Sequence, residues 1–274
     1  MIANKKPSFN NFLTVELFSR AKVALRSDDG LKRLIDFIFA SIFFHIPALI
    51  RRILFFGQDH YCPICQSKLR RFLVLHRQYH LFCPVCRSLQ RYRSGWLFLE
   101  SKNVEINKSS GRFLHIAPEP AISSRLRCLP NLEYITADLN SPSAMVRIDI
   151  CDIYFPNAIF DFIYCSHVLE HVSDDLKAMQ ELFRILKPGG KAIFIVPIST
   201  ETTFESSSIT DPLERQKLFG QHDHQRVYGQ DFIERLRNTG FQVSSVKTKS
   251  LVTPDQIKQM GLRAEDTIFF AEKF

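Results

Sequence analysis

From Gly111 onward the chain alternates short apolar runs with amphipathic stretches, and that rhythm restricts it to few architectures. Arg112–Ala117, Leu132–Ala137, Val146–Ile150, Phe160–Cys165, Lys191–Val196, Phe241–Val246 and Thr267–Phe274 read as seven strands. Ile122–Cys128, Asp174–Leu186 and Asp231–Asn238 read as the helices between them. The middle helix places Leu176, Met179, Leu182, Phe183 and Leu186 on one stripe, and Pro188-Gly189-Gly190 is expected to stop it. Strands alternating with helices predict an α/β fold with a mostly parallel, doubly wound, Rossmann-like sheet. Lys191–Val196 (KAIFIV) is apolar without alternation, as expected of a central strand covered on both faces. At 45% hydrophobic and 23% charged, the composition excludes a wholly disordered chain.

Four of the seven cysteines form two knuckles, Cys62-Pro-Ile-Cys65 and Cys83-Pro-Val-Cys86. Two Cys-x-x-Cys pairs at this separation match structural zinc sites. Each tight knuckle turns two thiolates inward, and four soft ligands close a tetrahedron with no open position, so the expected ion is structural zinc rather than catalytic. Cys128, Cys151 and Cys165 lie in apolar contexts and read as core thiols. Met1–Phe12 is polar and lacks a secretory signature, so a cytoplasmic, reducing setting is expected, where paired cysteines ligate metals more often than they form disulfides. The basic run Lys68–His80 reads as a hairpin with interleaved aromatics; nucleic-acid contact through it is a possibility the residues do not favour.

The first hundred residues carry sixteen Lys+Arg against six Asp+Glu, a net of +10, so the chain's overall +8 lies wholly there. Such a face suits anionic partners or simple solubility. Residues 1–57 read as a basic, apolar helical leader, 58–101 as the zinc ribbon with a connecting helix, and 102–274 as the larger domain, with Lys102–Ser110 as a polar linker. Within the leader, Leu34–Ile50 is apolar on all sides and bracketed by Lys32-Arg33 and Arg51-Arg52. It is short of the ~20 residues a membrane span needs. Three readings stay open: a helix packed in protein, an interfacial helix giving peripheral membrane contact, and a true span.

The run Phe160-Asp-Phe-Ile-Tyr-Cys-Ser-His-Val-Leu-Glu-His171, with Glu181-Leu-Phe-Arg-Ile-Leu-Lys-Pro-Gly-Gly190 after it, resembles the class I S-adenosylmethionine-dependent methyltransferases of the type 11-like group. The resemblance covers Gly111–Phe274, and the cysteine module followed by Arg87–Arg93 resembles a subgroup with an N-terminal zinc ribbon. It implies a seven-stranded methyltransferase sheet and S-adenosylmethionine as cofactor. It also implies that Asp138, ending the second strand, accepts from the ribose hydroxyls. Asp149, after the third, would accept from the adenine amine, with Ile150 beside the ring. Cys165 and Ser166 would line the methionine end. One departure matters: the first loop of the family is rich in glycine, and here it reads His115-Ile-Ala117-Pro-Glu119-Pro120. Ala117 stands where the first glycine would, and Glu119 brings a carboxylate that suits the ammonium group of the cofactor.

Two polar clusters suit methyl transfer, which needs an aligned nucleophile and a group to take its proton. One is His167, Glu170 and His171 after the fourth strand. The other is His222, Asp223 and His224, with Arg226 and Tyr228 following as substrate contacts. The His–Asp–His set reads as a base with its orienting carboxylate, as a second metal site, or as a hydrogen-bonded loop. Arg91 and Arg93, between the modules, are within reach of the cofactor or substrate. The leading expectation is methyl transfer to an oxygen or nitrogen of a small-molecule or glycan-type acceptor. The rivals are an RNA or protein methyltransferase that holds its target on the ribbon, and a non-catalytic scaffold with a degenerate methyltransferase fold.

Overall fold

A computed structural model describes residue 43, residues 45–75 and residues 80–274. Most of the leader, including residues 34–42 of the apolar stretch, lies outside the described residues. Helix α1 (Ala48–Leu54) closes the leader. Among the described residues no helix is long and apolar enough to cross a membrane.

The cysteine module follows as two short antiparallel ladders, β1 (His60–Cys62) with β2 (Ser67–Leu69), and β3 (Leu73–Leu75) with β4 (His80–Phe82). The expected Lys68–His80 hairpin is therefore divided: β2 turns back on β1 through the first knuckle, and only β3 belongs to the second ladder. Helix α2 (Gln90–Glu100) follows.

The main sheet contains β5 (Gly111–Ile116), β6 (Leu132–Asp138), β7 (Val146–Arg147), β8 (Phe160–Ser166) and β9 (Leu186–Ile195) in parallel. Its last two strands, β13 (Gln242–Lys247) and β14 (Thr267–Glu272), run antiparallel to their neighbours. The order is β13-β14-β9-β8-β5-β6-β7, so all seven expected strands meet in one sheet and the order reverses between β5 and β8. Helices α3 (Pro120–Leu126), α4 (Asp175–Ile185), α5 (Pro212–Phe219), α6 (Phe232–Arg237) and α7 (Pro254–Met260) complete the chain. A small sheet, order β10-β12-β11, is built from β10 (Ile198–Thr200), β11 (Phe204–Glu205) and β12 (Arg226–Gly229).

Local chemistry explains several boundaries. Asp174 caps α4 by accepting from the Lys177 N–H at 2.9 Å. The buried stripe is Ala178, Met179, Leu182 and Ile185, whereas Leu176, expected in it, is exposed. The helix stops at Ile185, ahead of Pro188-Gly189-Gly190, and that triplet forms an irregular entry to β9, where the register against β8 shifts. Gly189 adopts a φ of +75°, which a side chain would oppose.

Two apolar layers cover the sheet. On one face Leu114, Ile116, Ile163 and Phe194 pack against α4 and α6. On the other, Phe113, Tyr134, Phe162, Tyr164 and Phe270 share a single core with Trp96, Phe98 and Leu99 of α2 and with Ile64, Leu69, Phe72 and Val85 of the ribbon. Val104 and Ile106 of the expected polar linker are buried in that same core. The cysteine module thus forms part of the layer covering the sheet.

Arg93 joins the pieces. Its side chain is fully buried and donates to the carbonyls of Ser88 (2.7 Å), Leu81 (3.2 Å), Met260 (2.8 Å) and Gly261 (2.7 Å), with its guanidinium 4.2 Å from the Phe72 ring centre. Ribbon, α2 and the end of α7 therefore meet on one cation, and Arg93 is a buried packing clamp with four of its five N–H groups given to carbonyls. Removing it strands four buried carbonyl contacts. Arg93→Ala is expected to lower the unfolding free energy by about 3 kcal/mol or more, read from the urea midpoint. A loss below about 0.5 kcal/mol, the range of ordinary surface substitutions, would contradict the clamp.

Candidate active site at the carboxyl edge of the sheet

Ligands of open α/β sheets bind beyond the carboxyl ends of the strands, where the strand order reverses. Here that point lies between β5 and β8, and both strands leave it through a left-handed residue that is not glycine: Ala117 at φ +48° and His167 at φ +53°. Each such residue costs roughly 1–2 kcal/mol. The loop after β5 contains no glycine, yet it makes a backbone turn that glycine would favour. Ala117 N–H donates to the Ala137 carbonyl at 2.8 Å, and His167 N–H to that of Ile195 at 2.7 Å.

His115 and Glu119 do not reach outward. His115 is fully buried at the end of β5, with Nδ1 2.8 Å from the Tyr134 hydroxyl and Nε2 2.6 Å from Glu119 Oε2. Glu119 is buried too, and its Oε1 has no hydrogen-bond partner. Asp138 stands half-buried at the end of β6; Oδ1 accepts from the N–H groups of Asn140 (2.7 Å) and Ser141 (2.6 Å), which leaves Oδ2 for another donor. Asp149 is exposed and accepts from Cys151 N–H at 2.8 Å, with Ile150 buried behind it. Cys165 faces the core shared with α4, where burial pushes its thiol well up, and Ser166 is buried at the strand end.

After β8 a short 3-10 turn, Leu169–His171, carries Glu170 and His171. It is gripped by Arg226, a substrate contact in the sequence reading. That guanidinium is buried and donates to the carbonyls of Leu169 (2.8 Å), Val172 and Ser173 (2.9 Å), and to Glu205 at 2.8 Å. Tyr228 is fully buried and donates to Asp175 at 2.7 Å, which ties it into the fold, whereas Arg226 also lines the cavity beside His167.

The expected His222–Asp223–His224 set is divided. Asp223 pairs across the fold with His171 (3.2 Å), while His224 turns inward and sits ring to ring with His171 at 4.6 Å. His222 is half-buried outside that group. The hydrogen bond from His171 holds the Asp223 carboxyl down at about 2. Against the burial that lowers it, the same bond and the Glu170 charge keep His171 above its ordinary value. Burial, then the neighbouring His171, push His224 down. His167 Nδ1 lies 2.9 Å from Glu170 Oε1, an orienting contact for a ring beside the cavity.

That cavity, about 750 Å³, is lined by His167, Ile195, His224 and Arg91 among others. The size suits a small ligand. Arg91 arrives on α2, so the ribbon layer helps shape the cavity; its Nε is buried without a partner. The four knuckle cysteines converge beneath α1. Cys62 and Cys86 Sγ are 3.6 Å apart, as are Cys65 and Cys83 Sγ. Ligands about 2.3 Å from a common ion lie about 3.8 Å apart in a tetrahedron, so the quartet fits one metal of that kind. Arg51 braces it from α1, donating to the Pro84 carbonyl at 2.6 Å.

A family model described as a methyltransferase domain matches residues 127–194, from the end of α3 through most of β9. Over these residues, a quarter of its length, the chain is similar to a methyltransferase domain. The ubiquinone/menaquinone biosynthesis C-methyltransferase UbiE of Proteus mirabilis (strain HI4320) is 27% identical over 121 residues, 44% of this chain and 43% of that protein. The alignment thus spans less than half of that relative. Among solved structures, YcgJ from Bacillus subtilis covers 67% of this chain and 99% of its own at 14% identity, with a TM-score of 0.44. The Haemonchus contortus phosphoethanolamine N-methyltransferase 2 in complex with S-adenosyl-L-methionine covers 66% and 52% at 16% identity, with a TM-score of 0.44.

The matched segment includes Asp138, Asp149, Ile150, Cys165, Ser166 and His167. It leaves out the His115–Pro120 loop and the His222–His224 loop, whose behaviour therefore rests on geometry. If Glu119 holds the buried His115 in place, its loss matters without any ligand. Glu119→Ala is expected to lower stability by about 2 kcal/mol in cofactor-free protein, and Glu119→Gln by less, both by urea unfolding. Equal stability in all three proteins would assign Glu119 to a ligand alone.

Proposed function

We propose that the chain transfers a methyl group from S-adenosylmethionine to an oxygen or nitrogen of a small-molecule or glycan-type acceptor held in the cavity beside His167. The observation that carries this reading is the carboxyl edge itself. Asp138 with an open Oδ2, the left-handed Ala117 and the His167 wall of the cavity all lie around one switch point. Asp138 would hold the ribose hydroxyls, since a carboxylate oxygen accepts from both. Asp149 and Ile150 would flank the adenine. Bound there, the cofactor supplies a methyl group on a sulfonium centre.

His167 is our candidate base. With Nδ1 donating to Glu170, its Nε2 keeps a lone pair for the acceptor's proton. His167 would take the acceptor's proton as the methyl group is transferred, and Glu170 would hold its ring in place. The UbiE relative is named for C-methylation; a histidine base at the cavity wall supports oxygen or nitrogen here. We further propose that the cysteine quartet holds one structural zinc ion, and that the protein acts in the cytoplasm, with peripheral membrane contact through Leu34–Ile50.

One observation favours a second reading, a non-catalytic scaffold. Glu119 is paired inward with His115 where the sequence places a contact to the cofactor's ammonium group. Calorimetric titration with S-adenosylmethionine and S-adenosylhomocysteine decides between them. Micromolar binding that Asp138→Ala weakens by about 10-fold or more, one lost charge-assisted hydrogen bond, supports the enzyme. A folded protein that binds neither compound supports the scaffold. For the zinc, elemental analysis is expected to give one ion per chain bound by thiolates. Stripping it with a thiol reagent should unfold ribbon and sheet in one thermal transition, because they share a core.

A further inference from the structure

The turn after β8 and the loop before β12 bring Glu170, His171 and His224 together, with one ligand atom of each within 4.8 Å of the others. Two of the three are almost wholly buried, Glu170 at 1% and His224 at 5% exposure. Both keep a buried polar atom without a partner, Glu170 Oε2 and His224 Nε2. A buried carboxylate oxygen and a buried imidazole nitrogen left unpaired cost roughly 1–3 kcal/mol each, more when charged. They do not satisfy one another if both present lone pairs.

The surroundings fix that condition. His224 Nδ1 lies 2.9 Å from the Phe219 carbonyl, which only accepts. Nδ1 therefore carries the hydrogen and Nε2 the lone pair. His171 Nδ1 faces the Asp223 carboxylate at 3.2 Å, so in the neutral ring Nε2 is again the free donor atom. Glu170 Oε1 is engaged by His167, which leaves Oε2. Each group thus has an outer partner (a carbonyl, a carboxylate or an imidazole) and one lone pair left over, and a ligand atom of each lies within 4.8 Å of the others. Metal-binding histidines are oriented in this way.

We propose that Glu170, His171 and His224 bind a divalent first-row transition-metal ion, separate from the cysteine quartet. Two imidazoles and one carboxylate on one side of an ion leave coordination positions open. Ligands about 2.0–2.2 Å from a common ion lie about 3 Å apart, so small side-chain rotations from the present spacing close the site. The turn is already held for the purpose: Arg226 grips its carbonyls, and the Gln225 N–H donates to the Glu170 carbonyl at 2.8 Å, tying the loop of His224 to the turn of Glu170. His224 lines the cavity, so the ion sits at its wall. There it would take an oxygen of the acceptor and make a hydroxyl more acidic, with His167 receiving the proton. This last role rests on the methyltransferase reading and narrows its acceptor to an oxygen donor; the metal site itself does not depend on it.

Mn²⁺ is the probe, because it prefers nitrogen and oxygen ligands and leaves a zinc-filled cysteine quartet alone. Titrated into the zinc-loaded full chain, Mn²⁺ should lose its free-ion electron paramagnetic resonance signal at one site per chain. Glu170→Gln and His224→Ala should remove that site. Asp223 is exposed, so Asp223→Asn should fold normally and weaken binding by about 10–100-fold. Bound Mn²⁺ should also enhance water-proton relaxation, since open positions hold water. No loss of free signal at millimolar Mn²⁺ with wild-type protein would overturn the site, as would binding unchanged in Glu170→Gln and His224→Ala. Bound Mn²⁺ without relaxation enhancement would overturn the acceptor role alone. Cofactor binding is measured separately by calorimetry without Mn²⁺, so failure of one reading is not mistaken for failure of the other.

Discussion

The guanidinium of Arg93 is the contact on which the arrangement of the other parts depends. A buried cation that meets only carbonyls is costly, since no carboxylate offsets its desolvation. Burial holds the Arg93 and Arg51 guanidinium groups below their ordinary value, and the knuckle cysteines, once ionised, act the other way: all four on Arg93, and Cys83 and Cys86 on Arg51. Four thiolates around a divalent ion carry a net charge of two, of the sign these arginines need. The filled quartet and the two arginines would then stabilise one another. The ribbon is held in turn against the face of the sheet, where Phe113, Phe162 and Phe270 require a cover.

That dependence explains why the ribbon is more than an attachment. A doubly wound sheet needs apolar cover on both faces. One face has α4 and α6; the other has α3, α2 and the cysteine module. Because α2 crosses from ribbon to cavity, it delivers Arg91 to the same space that His167 and His224 line. Gly95 marks how closely it packs, since a Cβ there would come within 2.2 Å of the Tyr164 hydroxyl. A change in the ribbon is therefore transmitted to the cavity wall through packed atoms.

The seven strands were legible because each is a run of apolar residues bounded by turn chemistry, and strand identity depends mostly on local pattern. The cysteine quartet was legible for the same reason: the spacing within each knuckle is local. What the sequence concealed was partnership across the fold. Arg226 and Tyr228 look like substrate contacts when read beside His222–His224, yet their partners are the carbonyls of Leu169 and Ser173 and the Asp175 carboxylate, more than fifty residues away. Asp223 seems to belong with the histidines on either side of it, and instead meets His171. Val104 and Ile106 sit in a run that is otherwise polar, and only the neighbouring core explains their burial. Period tells which way a side chain points, not what waits there.

Several breaches of the local rules lie at the carboxyl edge of the sheet. Ala117 and His167 hold left-handed backbone without glycine, Glu119 and Glu170 bury carboxylate oxygens without donors, and His224 buries an unpaired nitrogen. Gln66, Arg87, Glu105 and Ala158 are left-handed elsewhere, and Trp96 Nε1 and the Tyr164 hydroxyl are also buried without a partner, whereas Asp174 and Asp211 cap their helices and Thr253 with Gln256 forms a reciprocal capping box. The groups beyond β5 and β8 are held in unfavourable positions by the stability of the rest of the fold, which is how strained functional sites are sustained. Each of these costs is relieved by something that donates to a carboxylate or accepts an imidazole lone pair. The first loop, His115–Pro120, contains no glycine. With the left-handed turn at Ala117, the loop meets with a β-carbon a backbone requirement that glycine would meet without strain.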